Sequence, residues 1–110
     1  MGDPVKYLKE MLTALSDIAA KNHKLRHFSM EYSLLKGDYK ICLYLLPVLK
    51  KIYNGSKSET DLRLIAFQIT AIMQSVYLGP ESFHMLTGIN VEIKNERDNL
   101  IHSIVDNLIR

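Results

Sequence analysis

A single cysteine, Cys42, excludes any intramolecular disulfide, and a chain without disulfides fits a reducing cytoplasm. Cys42 lies in the apolar run 41–49, where a structural thiol is expected. A reactive thiolate needs an electropositive and partly exposed setting. The five glycines are scattered, and neither GxGxxG nor GxxxxGKS/T occurs, so no phosphate-cradling loop is built. Long apolar runs are lacking too. The longest, 41–49, is far short of a membrane span. Met1-Gly2-Asp3-Pro4 is polar where a targeting segment would be apolar, and Lys6 stands where the myristoylation pattern wants Ser or Thr. No membrane contact is expected.

Charge of one sign is also scarce. Fourteen basic and twelve acidic residues leave a net charge of +2, and the two signs are interspersed. Lys21, Lys24 and Arg26 with His23 and His27 form a small cluster that reads as a solvated helix end, since a nucleic-acid face carries a stronger basic excess. Catalytic patterns are missing. There is no G-x-S-x-G, and no histidine is marked as a partner for Cys42. His23 and His27 are four apart, but no glutamate stands between them in the HExxH manner. His84 and His102 lie far away in the chain. The sequence therefore points away from an enzyme, with no catalytic residue, metal site or cofactor expected.

What is present is helical. With 110 residues, 47% hydrophobic and 24% charged, the composition is that of one globular domain spanning 1–110. No segment alternates with period two. Five segments carry the helical period, which predicts an all-α fold, an orthogonal or up-down bundle of about five long helices. The first starts at Asp3, a good N-cap with Pro4 at the first helical position, and ends near Asn22. Val5, Leu8, Leu12, Leu15, Ile18 and Ala19 form its apolar stripe. The second runs from about His23 to Leu35, with Gly37 as its C-terminal cap and Asp38 able to cap the next. The third runs from about Tyr39 to Tyr53, with a kink at the interior Pro47. That kink either shapes a cavity or is merely tolerated.

A polar loop, 55–58, follows. Ser56-x-x-Glu59 and Ser58-x-x-Asp61 both read as capping boxes, so the fourth helix starts near Glu59 and runs to Leu78, where Gly79 and Pro80 stop it. A short helical turn over 81–86 closes at Thr87-Gly88. The last helix runs from about Glu92 to the end. Its apolar face holds Ile93, Leu100, Ile101, Ile104, Val105, Leu108 and Ile109, and Arg97 falls on that line.

Two sites follow from the faces. The fourth helix is apolar nearly all round, which is normal for a buried helix, and neighbours in so small a domain cannot easily cover both sides. A second subunit could. The expected homodimer interface is Ile65, Ile69, Ile72, Met73, Val76, Leu100, Ile101, Ile104, Val105 and Leu108. The kink at Pro47, with aromatic and sulfur-bearing residues on facing stripes, suggests an apolar pocket for a small effector. Its lining would be Met11, Phe28, Tyr32, Cys42, Leu46, Leu49, Phe67 and Met73, in the manner of small-molecule sites. The alternative is that these eight simply fill the core.

From Asp61 onward the chain resembles the end of a TetR-family transcription regulator. The resemblance rests on Asp61-Leu62-Arg63-Leu64-Ile65-Ala66-Phe67-Gln68-Ile69, Tyr77-Leu78-Gly79-Pro80-Glu81-Ser82-Phe83, Leu86-Thr87-Gly88, Asn95-Glu96-Arg97 and the closing amphipathic helix. The first 60 residues fit only as helices of suitable length and order. The resemblance implies an effector-binding and dimerisation domain whose last two long helices pair with a second subunit in a four-helix bundle. The family's N-terminal helix-turn-helix domain has no counterpart. The chain is thus expected to be a C-terminal fragment or a regulator that has lost DNA binding, and to bind no DNA by itself. A helical homodimerisation or partner-binding module with no effector is the other reading.

Overall fold

The computed structural model describes residues 3–22 and 40–109. The elements are α1 (Pro4–Lys21), a 3-10 turn (Lys40–Leu45) leading into α2 (Leu46–Tyr53), α3 (Glu59–Leu78), α4 (Pro80–Thr87) and α5 (Lys94–Leu108). Among the described residues there is no strand, and the fold is an all-α bundle. The helix expected over 23–35, the caps at Gly37 and Asp38, and the two pocket candidates Phe28 and Tyr32 lie outside the described residues.

Local chemistry sets most of the boundaries. Asp3 caps α1 by accepting from the Val5 N–H at 2.9 Å, ahead of Pro4. Ser58, the second of the two candidate caps, accepts from the Asp61 N–H at 3.1 Å and starts α3. Gly79 ends α3 and Pro80 begins α4 at once, so the two axes meet at 101°. Gly88 closes α4 with φ 79°, a conformation that favours glycine. Pro47 departs from expectation. The backbone runs as a 3-10 turn up to Leu45, and the α-helix begins at Leu46. The proline thus sits in a helical first turn, where its missing N–H costs nothing, rather than kinking a continuous helix.

The core forms where these elements meet. Leu8 and Leu12 of α1, Cys42 and Leu45 of the 3-10 turn, Leu46 and Leu49 of α2, Ile65 and Ile69 of α3, and Ile101 and Val105 of α5 pack into one buried cluster. A second cluster, Val76, Tyr77 and Val91, sits towards the α4 end. On α1 the buried line runs Leu8, Leu12, Ser16, and the Ser16 hydroxyl hydrogen-bonds to the Tyr77 hydroxyl. Leu15 and Ile18, expected in the stripe, are exposed on its flank.

Ion pairs tie α1 to α5 at both ends. Lys9 meets Asp106 at 2.7 Å, while Asp17 meets Arg97 at 2.7 Å and Lys94 at 3.0 Å. The order of these pairs shows that α1 and α5 run antiparallel. Arg97 is buried and also donates to the Val91 carbonyl at 2.8 Å. Hydrogen bonds from Arg97 first, and from Lys94 second, hold the Asp17 carboxyl below its ordinary value near 3.8. A carboxylate depressed in the fold stabilises it above the unfolded pKa and stops doing so as pH falls through the folded one. Urea denaturation across the acid range should therefore show stability falling below about pH 4, with a shallower fall in Asp17→Asn. Equal slopes in the two proteins would contradict this role.

Candidate functional site

The predicted site residues separate into two groups. Cys42, Leu46 and Leu49 are buried in the main cluster, and Met11 and Met73 pack against it half-buried. Five of the eight pocket candidates thus come together, three within the buried cluster and two against it. Phe67 lies outside this cluster's buried residues and is 40% exposed. Gln74 of α3 is buried, and its amide makes no hydrogen bond among the described residues.

The ten dimer candidates are mostly covered by their own chain. Ile65, Ile69, Val76, Ile101, Ile104 and Val105 are buried, and Met73, Leu100 and Leu108 are half-buried. Only Ile72 of the ten is exposed. The reason is that the 3-10 turn, α2 and α5 all touch α3 and share one buried cluster with its Leu62, Ile65, Ala66 and Ile69, the side expected to meet a second subunit.

The surplus apolar surface lies on the opposite side. Leu64 is 56% exposed and Ile72 36%. With Phe67, Gln68, Ala71 and Ser75 they share a face, since residues three, four, seven and eight apart on a helix are neighbours, and Gln68 and Ser75 are its polar members. No charged residue occurs between Arg63 and Glu81, so this face is apolar or neutral along most of its length. At its C-terminal end the right-angled exit of α4 forms a corner. The corner holds an open groove of about 480 Å³, lined by Ala71, Ile72, Ser75, Val76, Gly79, Ser82, Phe83 and Leu86. Small residues at 71, 75 and 79, spaced by four, leave this space empty. Beside it, Met85 and Leu86 of α4 project into solvent, 89% and 85% exposed.

Leu64, Phe83, Met85 and Leu86 were missed as site residues. The signal for Leu64 was in the sequence, because the α3 stripe 64, 67, 71, 75 has helical spacing just as the buried stripe does. The signal for Met85 and Leu86 was weak, since a turn of eight residues has no period to read. Among the described residues no three His, Cys, Asp or Glu side chains come together as metal ligands. Also among them, no single helix is long and apolar enough to cross a membrane. Compared with protein-family models, curated proteins and solved structures, the chain has no match.

Proposed function

We propose that this chain is a helical association domain that forms a homodimer through the outer face of α3 and the adjoining α4. The observation that carries it is the uncharged, exposed and largely apolar face running from Leu64 to the α4 corner. Leu64, Phe67, Ile72, Met85 and Leu86, at their observed exposures, leave on the order of 500 Å² of side chain uncovered, taking a large side chain at roughly 150–200 Å². That is at the upper end of what monomers expose in one patch. Paired across a two-fold axis it reaches about 1,000 Å², the size at which specific interfaces begin.

The TetR-like resemblance fits in one respect, because that family also pairs long C-terminal helices across subunits. The proposal keeps the second subunit and moves the seam to the outer side of α3. It assigns no effector; of the expected lining residues, Cys42, Leu46 and Leu49 are buried in the core and Met11 and Met73 pack against it. It assigns no DNA contact to the chain, whose net charge is only +2.

Leu64→Glu tests the proposal. Leu64 is exposed in its own chain, so the substitution should leave helical circular dichroism intact. Burying an unpaired carboxylate at the seam should raise the dimer dissociation constant about 100-fold, or about 2.7 kcal/mol. Light scattering on eluted protein over a dilution series reads this. A folded Leu64→Glu protein that dimerises as well as the parent would remove the seam from this face.

A further inference from the structure

We infer that the two copies engage by reciprocal insertion, each chain placing the apolar end of its α4 in the other's α3–α4 groove. This rests on the homodimer proposed above and names how its surfaces meet. Three observations carry it. First, α4 leaves α3 at 101°, so the chain carries a concave corner and a projecting arm side by side. Second, both are apolar. The corner is lined by small and aliphatic residues around Ser75 and Gly79, and the arm ends in Met85 and Leu86, the most exposed large apolar side chains among the described residues. Third, Leu86 belongs to both, lining the groove while standing out from it.

A concave and a convex patch that complement each other on one chain can join copies in two ways. If they lie on different sides, copies join head to tail into larger rings or open filaments. If they adjoin, a two-fold axis lets both contacts form at once and the assembly closes at two. Here they adjoin. Methionine suits the inserted position, because an unbranched thioether chain fills an irregular gap better than a branched one. The groove has no charged lining residue, so it asks for an apolar occupant, and the second copy supplies one.

The test is cysteine pairing between two exposed positions. Ser75→Cys and Met85→Cys are made separately, with the buried Cys42 kept as in the parent. The two proteins are then mixed under mild oxidation and sedimented in parallel. Reciprocal insertion predicts a cross-linked dimer that forms far faster in the mixture than in either variant alone. It also predicts that Met85→Glu raises the dissociation constant at least about 30-fold while the helical spectrum is unchanged. A dimer that sediments as such but cross-links no faster in the mixture overturns the insertion and leaves the homodimer standing. A dimer whose Met85→Glu variant associates as the parent does overturns it equally. A chain that stays monomeric overturns both, and so does a monomer that floats with phosphatidylcholine vesicles, which would assign the apolar corner to a lipid surface.

Discussion

Arg97→Ala is expected to destabilise the fold by about 2–4 kcal/mol, because it removes the hydrogen bonds and the packing of a buried guanidinium. Arg97 is 6% exposed. Its guanidinium donates to Asp17 Oδ1 through two nitrogens, at 2.7 and 3.2 Å, and to the Val91 carbonyl at 2.8 Å. Alanine removes all three bonds and the packed aliphatic stem. Asp17 would keep Lys94 and some solvent, which places the loss towards the lower end. The Val91 carbonyl, at a buried residue, would lose the Arg97 donor. Thermal unfolding should drop by on the order of 15 °C. Asp17→Asn combined with Arg97→Met should recover part of the loss, because a hydrophobic isostere leaves no buried charge. A cost for Arg97→Ala under about 1 kcal/mol, read by urea denaturation at fixed protein concentration, would mean that the pair is incidental.

Leu49→Ala should cost about 2–5 kcal/mol. Leu49 of α2 has no exposed surface and belongs to the main cluster. Truncation loses the transfer energy of the side chain and leaves a cavity that close-packed neighbours fill only in part. The same substitution separates core from pocket. A residue lining space already open would lose much less on truncation, and the parent protein would then gain melting temperature from apolar ligands with concentration. A full-sized loss with an unchanged denaturant slope is the result expected of core.

Element ends were legible where one residue supplies the missing hydrogen bond or breaks the ladder. Asp3-Pro4, Ser58, Gly79-Pro80 and Gly88 each act locally, and each lies where the sequence placed it. Pro47 was misread because apolar spacing continues through it. Over six residues the three-residue period of a 3-10 turn cannot be told from the α-helical one. Arg97 on an apolar line was visible as an anomaly, but its partner is eighty positions away on α1, beyond any local pattern. Leu15 and Ile18 kept helical spacing with Leu8 and Leu12 and still face outward, because the buried line passes through Ser16 to reach Tyr77.

The candidate interface shows the same limit more sharply. Apolar residues all round α3 indicated two partners for the helix, one on each side. Which side the chain's own elements occupy is decided by connections, and periodicity does not carry them. The 3-10 turn, α2 and α5 take the side of Ile65 and Ile69, and Leu64 and Ile72 stay exposed. It follows that Ile104→Asp, at a residue buried within its own chain, reads folding and says nothing of association. Substitutions at Leu64, Ser75 or Met85 read association.

Sedimentation equilibrium of the unmodified chain at micromolar concentration tests the central claim most directly. A homodimer built on the outer face of α3 predicts a mass twice the 12.6 kDa of one chain, falling towards the single-chain value on dilution and in the folded Leu64→Glu variant. A mass of 12.6 kDa at every concentration, with the chain fully helical, would contradict it.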